Sequence, residues 1–404
     1  MLRFWLIFGS IVFVLVLMQV YLAGSVSEWL ETLPVGGAAR SGLRWLLLGA
    51  LVYFNLSIPL RILIRAFPGR DFSVVKKLVV FPGTTWLITM IMMFVLYISR
   101  DAAAWVWRWM QEDPVDPMRR AFLQASGALG LGAPLVLTAY GALKTARDYR
   151  VQRLDLEFAR LPRELDGFQI AQISDIHSGI YMEERHLQDV REIIDSLHPQ
   201  VLAMTGDYVD SLAEEALPVA RIFSGSRTDY GVYACMGNHD VFDDYNKVTA
   251  AMSEAGIHML DNTHRKISVN GAELAIAGVG DAGRTYSYAR LDEALQGVPA
   301  GTFKVLLSHR PNFFDRAQSA GVDLQLSGHT HGGQIALQVG PIPLNIVYLL
   351  EKYARGLYTT GDSKLYVNSG VGMVFAPIRI GIPPEITLIT LRTQRQESVS
   401  NNAG

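Results

Sequence analysis

The sequence of 404 residues predicts two parts, an N-terminal α-helical transmembrane region and a C-terminal α/β domain. Charge divides them. Residues 1–150 carry 15 Lys and Arg against 8 Asp and Glu, a balance of +7, whereas residues 151–404 carry 21 against 30, a balance of −9. All seven tryptophans (Trp5, Trp29, Trp45, Trp86, Trp105, Trp107, Trp109) fall in the first part, as expected of aromatic side chains at a membrane boundary. From Val151 onward, short apolar runs alternate with helical spacing, and several runs end on Asp, Asn or His. An acidic second part without a basic stripe argues against nucleic acid as a partner. The lone Cys235 rules out an internal disulfide.

Four apolar stretches are long enough to span a bilayer: Phe4 to Leu22, Leu43 to Ile64, Leu78 to Ile98, and Ala121 to Leu143. They predict a multi-pass cell-membrane protein with the lipid bilayer as partner. The first stretch lacks a small-residue cleavage site and reads as a retained helix, not a cleaved signal peptide. Asn55 and Pro59 inside the second read as a kinked, packed helix, because no ionisable residue joins them at mid-membrane depth. Ala102 to Met110 reads as a short interfacial helix or an ordinary loop.

Orientation receives two answers. Five basic residues between the second and third spans (Arg61, Arg65, Arg70, Lys76, Lys77) and four after the last (Lys144, Arg147, Arg150, Arg153) favour cytoplasmic termini. Met118-Arg119-Arg120-Ala121-Phe122-Leu123-Gln124, before a moderately hydrophobic run with Gly127, Gly130, Gly132 and Pro134, reads as an internal twin-arginine export signal. Adjacent arginines also serve as plain charge anchors. The weak hydrophobicity of the run tips the expectation toward an extracytoplasmic second part.

In that second part, Phe168 to Ile173 reads as a strand that ends at Ser174-Asp175-Ile176-His177-Ser178-Gly179. Glu183 to Leu197 has helical spacing. The apolar run Val201 to Thr205 delivers Gly206-Asp207-Tyr208-Val209-Asp210, and two carboxylates at the mouth of a buried strand need a partner. Gly231 to Met236 ends at Gly237-Asn238-His239-Asp240, Phe303 to Leu307 at Ser308-His309-Arg310-Pro311, and Asp323 to Leu326 at Gly328-His329-Thr330-His331-Gly332-Gly333-Gln334. Each motif alone is weak. Together they place carboxylates, an amide and imidazoles at the strand ends where α/β sites assemble. This mixed N/O inventory suits Zn, Mn or Fe better than Ca or Mg alone, and no thiolate joins it.

In that order, Asp-x-His, Gly-Asp-x-x-Asp, Gly-Asn-His-Asp, Ser-His and Gly-His-Thr-His-Gly-Gly resemble the signature of the calcineurin-like metallophosphoesterases. Pro162 to Gly167, Gly332-Gly333-Gln334, Ala376 to Arg379 and Pro384 to Ile386 resemble its membrane-associated YkuE/YaeI-like branch. The resemblance covers roughly Val151 to Leu391. It implies a four-layer αββα sandwich of two mixed sheets, in a domain spanning 151–392 between the transmembrane region, 1–150, and a disordered polar tail, 393–404. It further implies two divalent metal ions (Mn, Zn or Fe). Asp175, His177 and His331 would hold the first, Asn238, His309 and His329 the second, and Asp207 both. His239 would act as general acid, oriented or charge-stabilised by Asp210, while metal-activated hydroxide attacks the phosphorus. Asp240 would support this site or simply solvate its turn.

Where the superfamily's protein phosphatases continue the second motif with Arg and Gly, this chain has Ser211-Leu212. The missing arginine disfavours phosphoproteins and leaves phosphodiesters or pyrophosphates, on a lipid-linked or envelope substrate beside the bilayer. Arg310 and Arg379 are candidates for touching an anionic substrate or for structural ion pairs. Pro341 to Tyr353 reads as a buried helix of the second layer or as an apolar lip. The rival to an enzyme is a silent membrane scaffold or receptor that keeps the fold, and the complete ligand set argues against it.

Overall fold

The computed structural model describes residues 2–58, 60, 64, 67, 72–110, 117–281, 283, 288–339 and 342–394. The chain divides into two compact units, residues 1–143 with 375–378, and residues 144–374 with those from 379 on.

The first unit contains α1 (Leu2–Thr32), α2 (Gly37–Asn55), α3 (Phe81–Met110) and α4 (Pro117–Leu143). Among the described residues, three helical stretches are long and apolar enough to cross a membrane: Val12–Thr32, Lys76–Met110 and Arg120–Arg147. By length and composition these helices suit association with a membrane. Part of the expected span Leu43 to Ile64, Pro59 included, lies outside the described residues. Asn55 is packed as expected, its amide exchanging hydrogen bonds with that of Gln19 on α1 at 3.1 and 2.8 Å. Ala102 to Met110 is neither a separate interfacial helix nor a loop. It continues α3 without a break, because the run Ala102-Ala103-Ala104 is strongly helix-forming. Two of the glycines that weaken the hydrophobicity of α4, Gly127 and Gly130, also have a packing role, against Trp29 and Tyr97. Gly127 lies against the Trp29 ring and its carbonyl accepts from the Tyr97 hydroxyl at 3.0 Å, which a larger residue would prevent.

The second unit holds two mixed six-stranded sheets. Its strands are β1 (Arg150–Phe158), β2 (Gln169–Ile173), β3 (Val201–Met204), β4 (Val232–Ala234), β5 (His258–Met259), β6 (Thr263–Val269) and β7 (Ala272–Gly278). The series continues with β8 (Phe303–Leu307), β9 (Leu324–Ser327), β10 (Leu337–Val339), β11 (Ile342–Leu344), β12 (Gly356–Thr360), β13 (Ser363–Val367) and β14 (Glu385–Thr393). The first sheet runs β1-β14-β2-β3-β4-β5 and the second β12-β13-β9-β8-β7-β6, with β10 and β11 a separate hairpin. Alternate residues of the two sheets face each other, Ile170, Val201, Ala203 and Ile389 against Ile276, Val305, Leu307 and Leu326, and form one core. On the first sheet Ala171, Leu202 and Met204 of the opposite parity are also fully buried, so that sheet is covered on both faces. The helices α5 (Glu184–Leu197), α6 (Ala216–Phe223) and α7 (Tyr245–Glu254) pack side by side in chain order. Ala277 and Leu306 of the second sheet pack under Phe313 and Ala317, the latter on α8 (Phe314–Ser319). The expected sandwich of two mixed sheets is present.

Two expectations change here. Val347–Leu350 forms a helical turn, but it is not buried: Ile346, Tyr348, Leu349 and Leu350 are exposed. Arg379 does not reach for a substrate. It is wholly buried, and its guanidinium donates to the carbonyls of Ser369 (2.9 Å), Gly370 (3.0 Å), Gly372 (3.1 Å) and Ile382 (3.4 Å). The long loop after β13 is thereby wound around a single cation. The expected tail past Gln394 lies outside the described residues.

Arg379→Ala leaves several buried carbonyls without donors, at about 1–3 kcal/mol each. We expect a loss of at least about 3 kcal/mol, read as a clear drop in the thermal midpoint followed by circular dichroism. A melting curve like the wild type's would show that the loop does not depend on this cation.

Candidate metal centre

Three parallel strands of the first sheet end level, since Ile173 pairs with Met204 and Met204 with Ala234. Asp175 and His177 therefore emerge beside Asp207 and Asp210, and these beside Asn238, His239 and Asp240. In the second sheet, Leu307 pairs with Leu326, which brings His309 and Arg310 beside His329 and His331. The chain must reverse within a residue or two of each strand end to point these side chains inward. Asp175, His177, Asp207, His329 and His331 accordingly take left-handed backbone, with φ of 53°, 47°, 57°, 73° and 52°. Two glycines permit the close approach. A Cβ at Gly237 would strike the Asp207 carboxylate, and one at Gly328 would strike Ser174 and Asp175.

The side chains converge into three groups. Asp175, His177 and His331 form one, Asp207, His309 and His329 another, and His177, Asp210 and His239 a third that shares His177 with the first, the ligand atoms within each lying within 4.8 Å of one another. His177 Nε2 and His331 Nε2 are 3.0 Å apart, and Asp175 Oδ1 is 3.4 Å from His331 Nε2. Asp207 Oδ2 stands between the groups, 3.2 Å from His309 Nε2 and 3.7 Å from His177 Nε2. Metal–ligand bonds of about 2.0–2.2 Å put ligand atoms about 3–3.5 Å apart, so this crowding suits shared cations. Asn238 Oδ1 is buried with no hydrogen-bond partner, an expensive condition for a polar atom unless something else binds it. The residues thus fit divalent cations.

Protonation fits as well. Burial lowers His177 to about 4 and His329 to about 3, and it puts His331 well below the usual imidazole range, so these rings are neutral and each has a lone pair of the kind a cation binds. His309 behaves differently. Burial pulls it down, but the Asp207 carboxylate overrides this and raises it to about 10. The His309 Nδ1–H donates to the carbonyl of Thr205 at 2.8 Å, which aims Nε2 at Asp207.

His239 and Asp210 come together, through the backbone of Asp210 as well as its carboxylate. His239 Nδ1 donates at 2.7 Å to the backbone carbonyl of Asp210, while the Asp210 carboxylate accepts from Ser211 Oγ at 2.7 Å. A carbonyl only accepts, so Nδ1 carries a proton and Nε2 is the free face of the ring. Asp240 is no solvated turn. Its buried carboxylate accepts from the N–H groups of Asp207 (2.8 Å), Tyr208 (2.7 Å), Val209 (3.3 Å) and Gly237 (2.8 Å). Arg310, partly exposed, is paired to Asp281 at 2.8 Å and donates to His329 Nε2 at 2.8 Å. A guanidinium only donates, so Nε2 is the accepting nitrogen, and a cation on that ring has to break this bond.

Two contributors are absent from the sequence-based set. Asp281 follows β7, whose Gly278 pairs with Leu307 of β8, so it comes from one more strand end of the same edge. The signal was Gly280-Asp281 after an apolar run. Glu215 accepts from the N–H groups of Asp210, Ser211 and Leu212 at 3.0, 2.8 and 3.0 Å and so fixes the loop that presents the Asp210 carbonyl. Leu212 has no polar side chain to complete a capping box, so Glu215 carried no local mark in the sequence.

The calcineurin-like phosphoesterase family model matches residues 168–333. The metallophosphoesterase YkuE of Bacillus subtilis is 31% identical over 287 residues, which cover 68% of this chain and 98% of YkuE. The transmembrane protein with metallophosphoesterase domain of Danio rerio is 30% identical over 277 residues, 65% of this chain and 62% of that protein, so the chain spans about three-fifths of the zebrafish relative. Among solved structures, the 5'-nucleotidase precursor from Thermus thermophilus matches with a TM-score of 0.35 and 15% identity, over 55% of this chain and 54% of that one.

Asn238→Ala removes a neutral oxygen ligand and no charge. We expect metal content by mass spectrometry to fall from about two ions per chain to about one, with the melting curve otherwise preserved. Retention of both ions would remove Asn238 from the centre.

Proposed function

We infer the activity from family and geometry together: the chain belongs to the calcineurin-like metallophosphoesterases and is a metal-dependent phosphoester hydrolase. In finer detail we propose a membrane-anchored dinuclear phosphodiesterase or pyrophosphatase. The observation that carries this is the Asp207 carboxylate, which reaches His309 of one ligand group and His177 of another, with the buried, unpartnered Asn238 Oδ1 following the neighbouring strand end. Asp175, His177 and His331 would hold one ion, Asn238, His309 and His329 the other, and Asp207 both. Two divalent cations, Mn, Zn or Fe, supply the charge that acidifies water and neutralises phosphoryl oxygens.

The chain's own residues do the rest. His239 is held on three sides: its N–H donates to Asp207 Oδ1 at 2.8 Å, its Nδ1 is anchored on the Asp210 carbonyl, and its ring lies edge-on to His177 and against Phe242. Its Nε2 is left to give a proton to the departing alkoxide. The Asp210 carboxylate, in ligand range of both His177 and His239, supports the positive charge of the proton-loaded ring. Arg310 and Asp281 position His329. No arginine stands at Ser211, which supports phosphodiesters over phosphoproteins. The apolar helices of the same chain support a lipid-linked substrate at the membrane face, in a catalytic domain of residues 151–392 carried by a multi-pass region of residues 1–150. The Arg119-Arg120 pair in the first turn of α4 supports an extracytoplasmic site, against the loop charges. A reporter fused after Gln394 and active only in the cytoplasm would overturn that placement.

The anchoring of His239 by a backbone carbonyl gives an asymmetric expectation for turnover of bis-p-nitrophenyl phosphate with Mn²⁺. His239→Ala should lose about 10²–10⁴-fold in kcat. Asp210→Asn keeps the carbonyl and should lose no more than about tenfold, with metal content unchanged. Equal turnover in wild type, His239→Ala and Asp207→Asn would end the mechanism.

A further inference from the structure

Eight large apolar side chains are exposed among the described residues 144–374, and four of them occupy the five positions 346–350. Leu217, Phe242, Tyr288 and Leu357 are scattered, as isolated surface apolar residues usually are. Ile346 is 67% exposed, Tyr348 45%, Leu349 85% and Leu350 72%. The single helical turn Val347–Leu350 and its lead-in place Ile346, Leu349 and Leu350 three and four residues apart, on one face.

This tip is not a loose loop. At its start, Asn345 donates through Nδ2 to the carbonyl of Gly332, directly after His331, and its Oδ1 accepts from the N–H of Val347 at 3.0 Å. At its end, Glu351 accepts from Asn312 Nδ2 at 2.8 Å, and Lys352 pairs with Asp315 at 2.8 Å. The apolar tip is therefore held rigidly to the turn that carries a ligand-type histidine.

We propose that residues 346–350 enter the interfacial region of a lipid bilayer and seat the catalytic face on the membrane surface. Chemistry and connectivity both select lipid as the occupant. From Ile335 to Leu350 the sequence contains no Asp, Glu, Lys, Arg or His, so the segment offers nothing to the polar rim of a protein interface and meets an uncharged phase without penalty. Tyr348 is the side-chain type that settles at the headgroup level. The catalytic unit begins at Lys144, the residue after the end of α4, so lipid is present at a high effective concentration. The inference rests on membrane association and not on the chemistry assigned to the metal centre.

Cys235 is wholly buried, so a thiol introduced at the tip is the only one open to labelling. Full-length Leu349→Cys, carrying an environment-sensitive dye, is reconstituted in phosphatidylcholine vesicles with and without spin-labelled acyl chains. Leu217→Cys serves as the reference, and turnover of bis-p-nitrophenyl phosphate reports that both variants remain folded. We expect quenching at position 349 to exceed that at 217 by at least about twofold, with a blue-shifted emission. Equal quenching at the two positions overturns the proposal. So does dye self-quenching at 349 that disappears on dilution with unlabelled protein, which would assign the tip to a second copy of the chain. Protection at 349 that persists unchanged in detergent would assign it to the chain's own apolar helices, and also overturns the proposal.

Discussion

The Asp240 carboxylate, by accepting four backbone N–H groups, holds the loop after β3 against the loop after β4. Everything at the centre follows from that clamp. It fixes the N–H of Asp207, and hence the reach of the Asp207 carboxylate to both His309 and His177. It also fixes Gly237 where only a glycine fits, which sets Asn238 and His239 at their places. Burial and the nearby Asp207 charge push Asp240 up, to about 7, so this clamp is costly in isolation. Hydrogen bonds to a carboxylate contribute roughly 1.5–3 kcal/mol each, and cations beside Asp207 would favour the charged form further.

The same balance governs the backbone. Five of the ligand-type residues sit at positive φ, a conformation that costs of order 1–3 kcal/mol each and persists only where surroundings over-determine it. Here the surroundings are paired, level strand ends and a core between the sheets that lets neither sheet slide. Asp175 shows the coupling: its left-handed turn leaves its carboxylate accepting from the N–H of His329 at 3.0 Å, so a residue of the first sheet orders a loop of the second. Strain on one side is offset by a bond across the sandwich, and the fold and the centre stabilise each other.

What could be read from the sequence had a local signature. Buried parallel strands are apolar runs, and a run ending on Asp or His stands out, so Asp175, Asp207, Asn238, His309 and His329 were legible from the order of residues alone. The path of the sheets was not. Nothing local says that β14 lies between β1 and β2, because pairing over such a separation depends on the whole fold. Arg379 misled because an arginine is expected at a surface and this one is buried among carbonyls. Residues 346–350 misled for the opposite reason, since a short apolar run has the same pattern whether it is buried or exposed. The Asp210 carbonyl could not have been found at all, since the group that anchors His239 is backbone and leaves no mark on residue choice.

An acidic catalytic part is on its face a poor host for a phosphate, and the donor set resolves this. Of the seven ligand-type residues, only Asp175 and Asp207 bring negative charge. Three imidazoles that burial keeps neutral, the His309 ring and the Asn238 amide fill the remaining positions. Two divalent cations held by two carboxylates would leave the centre positive, while the rest of the acidic surplus lies outside this ligand set. Screening over about 8–10 Å reduces repulsion from that distant surface much more than attraction at the buried centre. The −9 balance of residues 151–404 therefore describes how the domain meets solvent, and the choice of His and Asn over further carboxylates describes how it meets an anion.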